Sequence, residues 1–146
     1  YNVSIGQGDL LVTPIQLLSY ISAIANGGKI YQPFLNKNSK PRVLADISDL
    51  DWEMKEVQKG MVETITKPLG TGHLLADLAV SVAGKTGSAQ IQNNKAETAF
   101  FAGYAPADKP EVAILVLVEK SREGSLNAVP IAKDVLNWYY WNRIKK

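Results

Sequence analysis

Leu78-Ala79-Val80-Ser81-Val82-Ala83-Gly84-Lys85-Thr86-Gly87-Ser88-Ala89-Gln90-Ile91-Gln92 is the stretch on which the reading of this chain turns. Upstream of it the apolar residues recur at a period near 3.6. Here the period drops to 2, the repeat of a strand. Residues 78–92 therefore read as one strand, with Lys85-Thr86-Gly87 and a following hydroxyl, Ser88, inside it.

Each of these residues brings a separate capability. Lys85 supplies a cation. The Thr86 hydroxyl can donate to a carboxylate or pass on a proton. Gly87 has no side chain, so a ligand can lie against the backbone there. Ser88 stands two residues beyond Thr86 and shares its strand face, so both hydroxyls can surround one carboxylate, while Lys85 falls on the opposite face. The Ser88 backbone N–H, directed along the strand edge, is a candidate oxyanion donor, a role worth roughly 2.7–4 kcal/mol where measured. Together they form one wall of an acyl-transfer site. The nucleophile is not found with it, because no serine in the chain is followed three residues later by a lysine.

Working outward, Thr13-Pro14 opens a helix, threonine as the cap and proline in the first turn. Asn26-Gly27-Gly28 ends it. Residues 1–12 read as a polar, glycine-containing lead-in with a tight bend at Gly6-Gln7-Gly8. Residues 29–35 are a short extended piece and 36–42 a polar loop. A second helix is expected to start near Ser48, with Asp51 completing a variant capping box. Its apolar stripe is Leu50, Met54, Val57, Met61 and Ile65. Lys67-Pro68 ends it, and Gly70-Thr71-Gly72 is a turn.

Beyond the Lys-Thr-Gly strand, Asn93-Asn94-Lys95 is a loop tip. Residues 98–105 form a second strand and 112–118 a third, apolar enough to be buried on both faces. Short connections imply an antiparallel meander. A last helix begins at Asn127, enters through Pro130, and presents Ile131, Val135, Leu136, Tyr139 and Tyr140 on one face. The fold class is thus α+β, an antiparallel meander with the C-terminal helix packed on the sheet and further helices near the N-terminus.

The bulk properties bound the function. The chain has 146 residues, 46% of them hydrophobic, enough for a real core. A net charge of +2 without clustered Lys or Arg gives no footprint for nucleic acid. Without cysteine there is neither a disulfide framework nor a thiolate metal site. The start at Tyr1 has no initiator methionine and no signal-peptide pattern, so the chain is expected to be a piece of a longer one.

Lys-Thr-Gly by itself is weak, since a given tripeptide turns up by chance in ~2% of chains this long. A solvated edge strand is the bland alternative. A nucleotide loop is the sharper one, because Gly84-Lys85-Thr86 ends like such a motif. It requires a glycine where this chain has Ala79, and a helix where Gly87-Ser88-Ala89-Gln90-Ile91 favours a strand.

Taken with its neighbours the motif is more specific. Val82-Ala83-Gly84-Lys85-Thr86-Gly87-Ser88-Ala89-Gln90 resembles the third active-site motif of the penicillin-binding proteins. Ser4-Ile5-Gly6-Gln7-Gly8 with Val12-Thr13-Pro14-Ile15-Gln16-Leu17 resembles the family's upstream helix opening. Ala99-Phe100-Phe101-Ala102-Gly103-Tyr104-Ala105-Pro106 and residues 112–119 resemble the two strands after the motif. The order agrees over essentially all 146 residues. The nearest group is class B, the elongation-type penicillin-binding protein 2.

The resemblance implies a serine D,D-transpeptidase that cross-links peptidoglycan stem peptides and is acylated by β-lactams. Residues 1–146 would be the C-terminal part of its transpeptidase domain, and the Ser-x-x-Lys and Ser-x-Asn motifs would precede Tyr1. Lys85 would position the Ser-x-Asn hydroxyl and add positive field. Thr86, Gly87 and Ser88 would line the peptide or β-lactam subsite, with Ser88 N–H as half of the oxyanion hole. No cofactor or metal is implied. The implied partners are the stem peptide, β-lactams, the preceding half of the domain and proteins of the cell-elongation complex, at the outer side of an inner membrane. The fragment by itself would be inactive. A non-catalytic β-lactam sensor or scaffold of the same fold is the alternative class, and a serine β-lactamase the alternative enzyme.

Other candidates read as structural. Ser125-Leu126-Asn127 is spelled like the family's second motif but follows the Lys-Thr-Gly strand, so it reads as a loop and helix cap. His73, the single histidine, sits in a glycine-rich turn with no indicated partner. The acids Asp46, Asp49, Asp51 and Glu53 suit a helix N-terminus. Trp138, Tyr139, Tyr140 and Trp141 read as core packing with an exposed rim. The loop holding Asn93, Asn94, Lys95 and Glu97 is either a hairpin tip or a rim of the site.

Overall fold

The computed structural model describes residues 11–91, 96–121 and 123–146. The expected bend at Gly6-Gln7-Gly8, the Ser4–Gly8 match and the loop tip Asn93-Asn94-Lys95 lie outside them.

The first helix, α1 (Pro14–Ala25), starts where local chemistry dictates. Thr13 and Gln16 form a reciprocal capping box: the Thr13 N–H donates to Gln16 Oε1 at 2.8 Å and the Gln16 N–H to Thr13 Oγ1 at 3.4 Å. This satisfies two amides that have no partner inside the helix. At the other end Gly28 takes φ +116°, and a Cβ there would stand 2.7 Å from the Ser48 amide nitrogen. Only glycine serves both demands.

Residues 29–35 were expected to be extended; they contain β1 (Lys29–Tyr31), which pairs antiparallel with β2 (Val43–Asp46). The second helix departs from expectation at its start. A 3-10 turn at Ser48–Leu50 precedes α2 (Asp51–Thr66), and neither N-cap position makes a side-chain cap. The proposed Ser48–Asp51 box does not form, because Asp46 reaches forward and accepts from the Ser48 N–H at 3.0 Å. Short acidic side chains compete in this way for nearby amides. The stripe holds in part: Met54, Met61 and Ile65 are buried, while Leu50 and Val57 are exposed.

The strand assigned to 78–92 is shorter than expected. Only β3 (Ala83–Ile91) pairs. Residues 78–82 keep the inward alternation, with Val80 and Val82 buried, but they run as bends against the core. Partnering explains the break. The ladder with β4 (Ala96–Ala105) ends at Ala83↔Tyr104, and residues 78–82 form no ladder with another described strand. Ser81 instead holds the β4–β5 turn, accepting the Ala107 N–H at Oγ (3.0 Å) and donating to Asp108 (3.1 Å). A third strand, β5 (Val112–Ser121), completes an antiparallel sheet in the order β3-β4-β5.

The sheet separates two packed layers. Phe101, Ala99, Ile114 and Val116 meet the last helix, α3 (Gly124–Tyr139), through Ala128, Val129, Ala132 and Leu136. Ala83, Ala102 and Tyr104 meet α1 and α2 through Ile21, Ile24, Met54 and Met61. Burial of Tyr104 pushes its phenol above the ordinary value of 10.0. Gln58 ties the two helices together, its Nε2 donating to the Ile24 carbonyl at 2.6 Å. The third strand is not buried on both faces as expected: Ile114 and Val116 are buried, and Leu117 on the other side is exposed.

The last helix begins at Gly124, three residues before the expected Asn127 start, and Pro130 lies inside it. Glycine is required because a Cβ at 124 would stand 2.6 Å from the carbonyl oxygens of both Gly87 and Phe100. Ser125-Leu126-Asn127 is therefore the first turn of α3, with Ser125 Oγ donating to Glu123 at 3.2 Å. The aromatic rim is as expected: Trp138 and Trp141 are about half exposed, with Arg143 and Lys145 lying over their rings.

Candidate active site

β3 is an edge strand among the described residues, and a cleft of ≈ 800 Å³ opens between it and the helix pair α1/α2. Lys85, Thr86, Gly87, Ser88 and Ala89 form its sheet wall, and Pro14, Ile21, Val57 and Met61 are among the apolar residues facing them. Lys85 is the one charged residue among those lining it. The Leu117 and Val57 exposures are thereby explained, since both border this opening. A single cation among mostly apolar lining residues, with Thr13, Tyr20, Thr64, Thr86 and Ser88 as the hydroxyl-bearing ones, suits a ligand with one anionic group and an apolar or amide body.

The four residues singled out from sequence all reach the cleft, each with its own neighbour. Lys85 folds back so that Nζ donates to the Thr86 carbonyl at 2.8 Å. Its partner across the ladder is Ala102, whereas Thr86 and Ser88 lie opposite Phe101 and Ala99. Cross-strand partners share a face, so the two hydroxyls alternate with the lysine as expected. They engage different elements. Thr86 Oγ1 lies 2.6 Å from Thr71 Oγ1. Ser88 Oγ accepts the Gly124 N–H at 3.2 Å, at the head of α3.

Gly87 is informative by contrast. Gly84 faces Gly103 across the ladder, and a Cβ at 84 would stand 2.5 Å from the Phe101 ring. That glycine pair makes the slot for a wholly buried phenylalanine. At Gly87 the nearest atom to a Cβ, Phe100 Cβ, is 3.5 Å away, an ordinary contact. Packing within the chain does not require glycine there. The bare backbone at 87 is left facing the cleft.

Two contributors were not picked out from sequence. In the sequence Thr71 reads only as part of a turn, and its flanking glycines are the signal that the turn is tightly packed. Gly124 stands just before the stretch that reads as loop and helix cap, and nothing local marks it as the residue that meets Gly87. His73 proves structural: its Nδ1 lies 3.0 Å from the Ile65 carbonyl oxygen, which can only accept, so that nitrogen carries the hydrogen.

Known proteins are similar to this chain in sequence and fold. A family model described as penicillin binding protein transpeptidase domain matches residues 2–137. The peptidoglycan D,D-transpeptidase MrdA of Haemophilus influenzae is 32% identical over 98% of this chain and 26% of its own length. The penicillin-binding protein PBP2 of Helicobacter pylori, 30% identical, matches with a TM-score of 0.86 over 95% of this chain and 26% of that one. Its complex with MreC matches at 0.79, with 29% identity and coverage of 96% and 27%. An imipenem acyl-enzyme of penicillin-binding protein A from M. tuberculosis matches at 0.76, with 28% identity and coverage of 92% and 32%. The chain spans about a quarter of the length of the curated relatives it matches. A family model that runs from residue 2 to 137, and an α+β sheet-and-helix arrangement shared with solved members, lead to one conclusion: this chain belongs to the penicillin-binding protein transpeptidase domain family.

Proposed function

We propose that this chain is the C-terminal part of the transpeptidase domain of a peptidoglycan D,D-transpeptidase of the elongation type, and that the cleft beside β3 is its donor-peptide and β-lactam subsite. The observation that carries the reading is the edge strand that lines an apolar cleft with one cation, two hydroxyls and a glycine that packing does not demand. The names of the relatives support it, since the H. influenzae relative is a peptidoglycan D,D-transpeptidase and the M. tuberculosis one is solved as an imipenem acyl-enzyme.

In this reading the nucleophilic serine and its lysine lie on preceding polypeptide and attack a peptide or β-lactam carbonyl. Oxygen of that carbonyl becomes an oxyanion, and the Ser88 N–H is one of its donors. Lys85 lowers the energy of the developing negative charge and aligns the groups that shuttle the proton. Thr86 and Ser88 hold the ligand carboxylate, and Gly87 lets the ligand backbone lie flat on the strand. Peptidoglycan lies outside the cytoplasmic membrane, so the site would work on that side. Among the described residues no helix is long and apolar enough to cross a membrane. The MreC complex of the H. pylori relative supports a place beside elongation-complex proteins.

The test is acylation of the full-length protein by a fluorescent penicillin. A covalent adduct is expected with the full-length protein and none with residues 1–146 alone. Lys85→Ala should slow acylation by about 10²-fold. Its stability should stay within about 0.5 kcal/mol of wild type, because Lys85 is a surface residue. An adduct on the isolated chain would show that the nucleophile lies within it. No adduct on the full-length protein would favour a non-catalytic scaffold.

A further inference from the structure

The contact between Thr71 and Thr86 has a cause and a chemical direction that the site so far does not use. We infer that Thr71 is a positioning residue: its hydroxyl donates to Thr86 Oγ1 and thereby aims the Thr86 hydrogen at the carboxylate of the ligand. The inference rests on the reading of Thr86 as a carboxylate donor.

A threonine hydroxyl has one hydrogen and two lone pairs, and it rotates freely about the C–O bond. Thr86 alone could therefore present either a hydrogen or a lone pair to the cleft. A lone pair facing a carboxylate repels it. With Thr71 Oγ1 at 2.6 Å, one of the two hydroxyls must donate to the other. If Thr71 donates, the Thr86 hydrogen is left for the ligand. The chain Thr71 O–H to Thr86 O–H to carboxylate then runs in one direction, and each bond polarises the next. An anion in the cleft selects that direction over the reverse.

The turn that carries Thr71 is built to hold it still. The Gly72 N–H donates to the Thr64 carbonyl at 3.1 Å, the Gly70 N–H to the Lys67 carbonyl at 2.9 Å, and the His73 N–H to the Gly70 carbonyl at 3.0 Å. The His73 ring fastens the same turn to Ile65 at 3.0 Å. Neither glycine has room for a side chain: a Cβ at 70 would run into the Thr64 carbonyl oxygen, and one at 72 would stand 2.5 Å from Ile65 Cδ1. The end of α2 therefore clamps the turn on both sides of Thr71, and Thr71 itself is exposed. The structural purpose of the clamp is met without the threonine hydroxyl. What that hydroxyl touches is Thr86.

The test measures acylation of full-length wild type, Thr71→Val, Thr71→Ser and Thr86→Val by benzylpenicillin and by its methyl ester, which has no carboxylate. Thr71→Val should lower the rate with the acid by about tenfold. It should leave the ester rate within about twofold of wild type, and Thr71→Ser should restore the acid rate. Thr71→Ala, at an exposed position, stands in if the valine variant does not fold. Equal loss with acid and ester, or no loss with either, would overturn the inference. Thr86→Val separates the two levels. If it discriminates acid from ester while Thr71→Val does not, the Thr71 role alone fails. If it shows no discrimination, the carboxylate reading of Thr86 fails and takes the Thr71 role with it.

Discussion

Adding one methyl group at the head of α3 should damage both the fold and the site. Gly124 lies against the backbone of Gly87 and Phe100. An alanine Cβ there would stand 2.6 Å from the carbonyl oxygens of Gly87 and Phe100 and 3.1 Å from the Gly87 nitrogen. Ordinary contact begins at 3.4 Å, so the helix start must retreat by about 0.8 Å. All the obstructing atoms are backbone in a paired ladder, and none can swing aside. Overpacking of this kind costs about 1–3 kcal/mol. The retreat also stretches the Gly124 N–H to Ser88 bond, already 3.2 Å, past useful length. That adds about 0.5–1.5 kcal/mol. For a domain of this size each kcal/mol moves Tm by about 2–4 °C. Gly124→Ala should therefore melt at least about 3 °C below wild type in the full-length protein. The Ser88 amide would be displaced together with its neighbour, and a misplacement near 1 Å can cost about 10²-fold in rate. Penicillin acylation should fall by about 10-fold to 100-fold. Gly60→Ala is the control. A Cβ at Gly60, inside α2, meets nothing within 4 Å. That change should raise stability by about 0.5–1 kcal/mol. If Gly124→Ala leaves both Tm and acylation at wild-type values, the packing of α3 against the Lys-Thr-Gly strand is wrong.

Two further expectations follow from the packing and the surface charge. Leu136 is 1% exposed between α3 and the sheet. Leu136→Ala should cost about 2–5 kcal/mol in urea unfolding, with little change of slope. The Asp77 carboxyl is held below its ordinary value of 3.8, first by the hydrogen bond from Lys133, whose Nζ lies 2.8 Å from Oδ1. A depressed carboxyl stabilises the fold above its unfolded value and loses that contribution as pH falls through the folded value. Lys133→Met should return the Asp77 titration, followed by NMR, toward 3.8, and the stability gap between variant and wild type should close below that pH.

Much of this architecture was legible in contiguous residues. Thr13-Pro14-Ile15-Gln16 carries its own cap and first turn, so α1 formed where expected. The change of period before Lys85 announced a strand, and the Lys-Thr-Gly-Ser order already stated which chemistry would sit on it. Other features depend on partners far along the chain. Val43 to Asp46 is a strand only because Lys29 to Tyr31 lies beside it. Residues 78–82 alternate like a strand yet form no ladder with another described strand. Alternation records burial, and a ladder needs a second backbone. The same division runs through the site. Residue types and their spacing determined that Lys85, Thr86, Gly87 and Ser88 would meet on one edge. Only the tertiary structure decided that Thr71 would reach Thr86 and that Gly124 would reach Ser88, contacts spanning 15 and 36 residues. A hydroxyl or an amide carries no local signature of the distant atom it will meet, because that meeting is set by how helices pack on a sheet.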